Sequence, residues 1–240
     1  YCRAIFAYGK VKGYLTHNPA DIKASDILSP QTKGHYAAME AAELPRFLCK
    51  LHSNEGRLFR QTQIAMELML LTFVRTSEMI KAKWEEVDFD QAIWTVPVAR
   101  MKMKRHDHIV PLSKRAVALL AELHTVNGNR SYVFPSQRNP REHMSNNTLL
   151  VALRNMGYAG IHTGHGFRAL AMTTIMEELG YPFEIPDTQL SHSKGSAVRA
   201  AYDRTKYLKE RTKMMEDWSG YIEQLINKTT LLEVRPNGKG

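Results

Sequence analysis

The chain has 240 residues, 43% of them hydrophobic, and carries 33 Lys and Arg against 24 Asp and Glu, a net charge of +9. This composition supports a hydrophobic core and excludes wholesale disorder, and the basic balance points to a polyanionic partner, nucleic acid ahead of an anionic membrane. Cys2 and Cys49 make neither a disulfide framework nor a CxxC metal site, no apolar run nears the roughly 18 residues of a membrane span, and no signal-peptide pattern occurs, so a reducing, cytoplasmic setting is expected.

Residues 1–17 place Ile5, Tyr8, Val11 and Leu15 at helical spacing, which predicts one amphipathic helix stopped by Asn18-Pro19. The chain opens on Tyr1 inside this pattern and is expected to be a piece of a longer protein. Residues 18–36 form a polar connector with Pro19, Pro30 and Gly34, and a domain boundary is expected there. The main domain begins at Ala37. MEAAELPRFLCKLHS reads as a helix with Leu44, Leu48 and Leu51 on one side. TQIAMELMLLTFV, from Thr62 to Val74, is apolar almost all round, the pattern of a buried central helix. Arg75 follows directly. It is either an arginine that snorkels to the surface or pairs with Glu78, or a guanidinium held rigidly for an anion. Ser77 is the expected N-cap of a short helix, SEMIKAK.

Between Trp84 and Leu112 the pattern changes: WEEVDF, AIWTVPV and HIVPL predict three short strands. The turn joining the last two carries Lys102, Lys104, Arg105, His106 and His108. It reads as a solvated hairpin tip or as one that meets a DNA backbone. His106-x-His108 lacks a third ligand and is not read as a metal site. Ser113 to His124 reads as a helix capped by Ser113. A loop with a short extended SYVFP piece follows, and then a helix over Ser145–Met156. A further helix is expected from about His165 to Leu179, closed by Gly180. It places His165 and Arg168 on one face of its first turn, where anions are favoured. The pair His162 and His165 lacks further metal ligands in the same way. Pro182 and Pro186 are expected to bracket a turn before a short helix, DTQLSH. Lys194 and Gly195 lead into a helix with Tyr202 at or beside its start. Met215, Trp218, Ile222 and Leu225 form an apolar stripe on the last long helix, suited to docking on the same molecule or on a neighbouring subunit. Residues 228–240 read as a polar tail.

Taken singly, each polar residue has a structural explanation; the order Arg75, Lys102, His165-x-x-Arg168, His192, Tyr202, with Tyr202 ten positions after His192, is the informative feature. Together with LTFVRTSEMIKAKWEEVDF, WTVPVARMKMKRHDHIVPLS, HGFR, QLSHS and AAYDRTKYLKERTKMMEDW, it resembles the tyrosine recombinases of the phage-integrase type, in particular integrases of prophages and genomic islands. The resemblance covers about residues 37–225. It implies a mainly α fold with a small antiparallel three-stranded β-sheet (α+β). Residues 1–20 would be the C-terminal helix of a truncated core-binding domain, 21–36 an interdomain linker, 37–227 the catalytic domain with its C-terminal helix, and 228–240 the tail.

The resemblance also implies a chemistry: site-specific DNA cleavage and rejoining through a 3′-phosphotyrosyl link, without ATP, metal or cofactor. Arg75 and Arg168 would bind the non-bridging phosphate oxygens, a task that suits planar forks. Tyr202 would be the nucleophile. With an unperturbed pKa of roughly 10, only about 0.1% of it is ionised at pH 7, and ionising it beforehand costs roughly 4 kcal/mol. His165 would accept its proton, His192 would hydrogen-bond the phosphate, and Lys102 would protonate the leaving 5′-oxygen, with Lys104 competing for that role. Lys104, Arg105, Lys194 and Arg199 would contact DNA. The implied partners are double-stranded attachment sites, three further copies of the chain in a tetramer on DNA (the isolated chain being monomeric), and DNA-bending accessory proteins. A type IB topoisomerase and a DNA-binding protein of the same fold without cleavage activity are the alternatives. Three positions depart from the family pattern: Phe73, where many members have glycine, Leu170, and Pro186, expected to delay the start of its helix.

Overall fold

The computed structural model describes residues 1–22, 37–101, 107–191 and 207–233. Contacts divide the chain into two units, Tyr1–His35 and Tyr36–Gly240. In the first unit α1 spans Cys2–Val11, shorter than the single helix expected over residues 1–17. Gly13, at φ +77, takes the left-handed conformation that ends helices without a Cβ penalty, and Tyr14 N–H donates back to Gly9 O at 2.9 Å. Asn18 then folds the following chain onto the helix, donating to Arg3 O and accepting from Ala20 N–H, both at 2.9 Å.

The second unit is built from α2 (Leu44–His52), α3 (Arg60–Thr72), α4 (Thr76–Ile80), β1 (Val87–Asp88), β2 (Ile93–Val96), β3 (His108–Pro111), α5 (Lys114–Asn127), α6 (Thr148–Asn155), α7 (Gly166–Glu177), α8 (Glu184–Gln189) and α9 (Leu208–Glu233). Every residue of α3 from Thr62 to Thr72 is buried. The reason is its place at the centre: α4, α5, α6, α7 and α9 all pack against it. Beyond the exposed Arg60 at its start, a helix so surrounded has no solvent face for a charge, yet it carries Glu67. The carboxylate is matched by an ion pair with Arg115 of α5 and by His52 Nε2 at 3.5 Å, as a buried charge requires. On α2, Leu44, Phe47, Leu48 and Leu51 face inward. The Phe47 ring meets Tyr158 and Phe167 edge-on at 5.3 and 5.6 Å, which fixes α2 against the start of α7.

The sheet is antiparallel in the order β1-β2-β3, with Ile93 opposite Pro111 and Val96 opposite His108. The first expected strand is reduced to two residues because Trp84–Glu86 forms a 3-10 turn. That turn brings the buried Glu86 carboxylate to Trp94 Nε1 (3.1 Å) and to Arg100. Ser113 caps α5, its Oγ accepting from Ala116 N–H at 3.3 Å. The helix expected from Ser145 starts at Thr148.

Pro186 does not delay its helix. It lies inside the first turn of α8, where its missing N–H would have had no intrahelical acceptor, so the helix starts at Glu184. The stripe on α9 docks within the chain: Met215, Trp218 and Ile222 are buried, and Trp218 Nε1 donates to Leu70 O at 2.9 Å. Through it α9 packs on α2, α3, α8 and β3.

Candidate active site

The site starts where α3 ends. Phe73, its C-cap, has φ +39 and ψ +35, the left-handed conformation that glycine adopts freely. The family's frequent glycine at this position has its explanation here. In this chain a fully buried phenylalanine takes the same turn. The turn stops α3 and re-aims the backbone, so that Phe73 O accepts from Arg168 Nη1 at 2.8 Å.

Two residues on, Arg75 caps α4 in place of the expected Ser77. Its N–H donates to Glu78 Oε2 at 3.0 Å, and Glu78 N–H donates to Arg75 O at 2.8 Å. The same carboxylate takes the guanidinium, Nη1 to Oε1, at 2.8 Å, and Nη2 reaches Ser191 O at 3.4 Å. Pairing with Glu78 and a rigidly held guanidinium were opposed readings from sequence. In the structure the first produces the second. Glu78 is only 1% exposed, and it sets both the backbone and the side chain of Arg75.

Arg168 is the third residue of α7 and is 2% exposed. Beside Phe73 O, it donates from Nη2 to Leu190 O at 2.7 Å. Burial, and next the Arg75 guanidinium, push it down to about 10, still charged at neutral pH. Two carbonyls from distant segments thus fix its plane. His165 lies at the exposed N-cap of α7. Its neighbours are packed too tightly for side chains. A Cβ on Gly164 would run into Thr76 Oγ1 of α4, and one on Gly166 would lie 2.6 Å from Ala37 O. Thr163 completes the turn, donating to Ala37 O at 3.2 Å and accepting from Gly166 N–H at 3.1 Å. Close approach at Gly164 is what seats the start of α7, with His165 and Arg168, against the helix that Arg75 caps.

Beneath these arginines lies a buried polar network that sequence reading missed. Gln189, fully buried at the end of α8, accepts from Arg211 Nε at 3.0 Å and Nη2 at 2.6 Å, and its own amide reaches Thr72 O at 3.5 Å. Arg211 also donates to Ile109 O, and His108 Nε2 lies 2.9 Å from Gln189 O. Burial pushes Arg211 down to about 10. One signal was available. Arg211 continues the apolar stripe of α9 at the same spacing, Arg211, Met215, Trp218, Ile222, and a charge on such a stripe is buried by construction. Gln189 carried no comparable mark.

Lys102, Lys104, Arg105, His192, Lys194, Arg199 and Tyr202 lie outside the described residues. Of the expected catalytic set, the structure therefore brings Arg75, His165 and Arg168 together. Among the described residues no group of three or more His, Cys, Asp or Glu could hold a metal ion, and no helix is long and apolar enough to cross a membrane.

The model of the phage integrase family matches residues 38–209. Over 98% of its length the chain is 38% identical to the integrase of Enterobacteria phage P4, 56% of which it covers. The chain spans about half the length of the curated relatives it matches. Among solved structures, the integrase from mycobacterium phage Brujita superposes with a TM-score of 0.60 at 19% identity, over 90% of this chain and 68% of that one. A lambda integrase tetramer bound to a Holliday junction gives 0.57 at 17% identity, over 80% of this chain and 56% of that one. The solved structures share the fold, a mostly helical domain with a small antiparallel sheet, and the family match and the identity to the curated integrases place this chain in the phage integrase family.

Proposed function

We propose that the chain is the catalytic part of a site-specific DNA recombinase that cleaves and rejoins attachment-site DNA through a 3′-phosphotyrosyl intermediate, integrating or excising a mobile element. The observation that carries this reading is the pairing of Arg75 and Arg168, two guanidiniums fixed by Glu78 and by the carbonyls of Phe73 and Leu190 beside His165. Two rigid forks with one nearby carboxylate suit the charge that builds on the non-bridging oxygens of a pentacoordinate phosphate. Tyr202 attacks phosphorus. The P–O bond to the tyrosine forms as the P–O5′ bond breaks, His165 takes the phenolic proton, His192 hydrogen-bonds the phosphate, and Lys102 or Lys104 protonates the 5′-oxygen. Phosphodiester energy is kept in the tyrosyl link, so rejoining to another strand needs no ATP.

Residues 1–20 act as the end of a core-binding domain, 21–36 as linker, 37–227 as the catalytic domain and 228–240 as a tail. Four copies act on two duplexes, in the cytoplasm at the nucleoid, with DNA-bending accessory proteins. Arg105, Lys194 and Arg199 contact the DNA backbone. The test is a nicked attachment-site duplex that traps the intermediate. Wild-type protein forms a covalent protein–DNA adduct and Tyr202→Phe forms none. Adduct formation by Tyr202→Phe removes that residue as nucleophile, and plasmid relaxation by a monomer without recombinants would assign the chain to topoisomerase chemistry instead.

A further inference from the structure

His108 opens β3, opposite Val96, and is 3% exposed. Its Nε2 lies 2.9 Å from Gln189 O. A carbonyl only accepts, so Nε2 carries the proton, and in the neutral ring Nδ1 is a bare lone pair. Nδ1 is buried and has no hydrogen-bond partner. Glu78 Oε2 lies 4.0 Å from it. Two acceptors thus face each other across a gap that a proton would turn into an ion pair, and one of them belongs to the carboxylate that holds Arg75.

The groups around His108 explain why that proton is absent in the free protein. Glu78 and Arg75 face it from α4, Arg168 from α7, the Gln189 carbonyl from α8 and Arg211 from α9, while the adjacent Asp107 is turned to Val98 N–H at 2.9 Å. Burial, then Arg211 and Arg168, hold the imidazole well below its ordinary range. The Gln189 carbonyl opposes this, and Arg75 adds to it. An oxyanion on Arg75 and Arg168 would cancel part of that opposition. Proton uptake and oxyanion binding are then linked, each favouring the other by the same factor.

We propose that His108 is a positioning residue. When a phosphate occupies Arg75 and Arg168, Nδ1 takes a proton from solvent and pairs with Glu78 Oε2, so that the carboxylate stays fixed while Arg75 holds the phosphate. The inference rests on reading the site as one for a phosphodiester. The only bond made is N–H, at the expense of a hydronium ion.

The test compares wild type with His108→Gln across pH in single-turnover adduct formation on the nicked attachment-site duplex. Glutamine can still donate to Gln189 O from its ε position but cannot take up a proton. The ratio of wild-type to variant rate cancels every titration the two proteins share. It is expected to rise as pH falls from 8 to 6, by up to about tenfold per unit for one linked proton. A ratio that stays constant, whatever its value, would make His108 merely structural and overturn the proposal. A second measurement does not depend on the variant folding: nitrogen NMR of the free wild-type chain with labelled histidine. His108 is expected in the neutral Nε2–H form at pH 7. An imidazolium at pH 7, or the Nδ1–H tautomer, refutes the idea. Absence of adduct with wild type at every pH counts against the phosphodiester reading itself.

Discussion

Replacing Phe73 with glycine sets two effects against each other. The left-handed backbone, at φ +39, costs a non-glycine residue roughly 1–2 kcal/mol, which glycine would recover. The side chain, however, is fully buried in the core beneath the site. Deleting a buried phenylalanine costs about 3–5 kcal/mol, and the extra freedom of an unfolded glycine adds about 0.5–1 kcal/mol. Burial therefore wins. Phe73→Gly should destabilise by about 2–5 kcal/mol even though many family members carry glycine there, and Tm should fall by roughly 2–4 °C for each kcal/mol. Urea unfolding followed by circular dichroism measures the loss. Well below its Tm the variant should still form adduct, because the carbonyl that anchors Arg168 belongs to the backbone and its direction suits glycine. A variant as stable as wild type would show that the family glycine and this phenylalanine are interchangeable, and that cavity cost is not what the site pays here.

Three further expectations concern other residues. Gly164→Ala forces Thr76 to move and shifts His165 relative to Arg75; adduct formation should fall roughly tenfold, as a displacement of about 1 Å can cost that much or more, and adding Thr76→Ala should restore it, whereas a double variant no better than the single one defeats the steric account. His162 is buried, its Nδ1 accepts from Met39 N–H at 3.0 Å, and burial lowers it to about 4. Its folded-state value lies below the unfolded 6.5, so its stability contribution is intact above pH 6.5 and is lost as pH falls towards 4, by up to about 3 kcal/mol. His162→Asn, which can still accept from Met39 but does not titrate, should flatten the loss of unfolding free energy between pH 6.5 and pH 5; an unchanged slope refutes this. Lys104→Ala with Arg105→Ala should reduce the slope of log Kd against log salt by about two, the value for two lost phosphate contacts, and an unchanged slope removes both residues from the DNA backbone.

Local pattern gave much of the fold. The all-apolar run of α3 announced a central helix, the stripe on α9 its docking face, and Ser113 a cap, because each is written within one or two helical turns. Where the structure departs from the local pattern, a longer-range or positional effect is responsible. The helix of residues 1–17 ends early at Gly13, α4 is capped by Arg75 because Glu78 closes on it, and α8 begins ahead of Pro186 because a first turn has no use for the missing N–H.

The sequence by itself determined the reaction class to expect. Arg75, His165 and Arg168 stand in the order and spacing by which the chain resembles the tyrosine recombinases, and that resemblance implies the chemistry. Only the tertiary structure decided what holds them. Arg168 is fixed by carbonyls 95 and 22 residues away, His108 meets Gln189 across 81, and Arg211 reaches Ile109 across 102. No periodicity within a helix or strand encodes such contacts. They exist because α3, α7, α8, α9 and β3 converge on one point, and a buried polar group there must find its partner among whatever the fold brings to it.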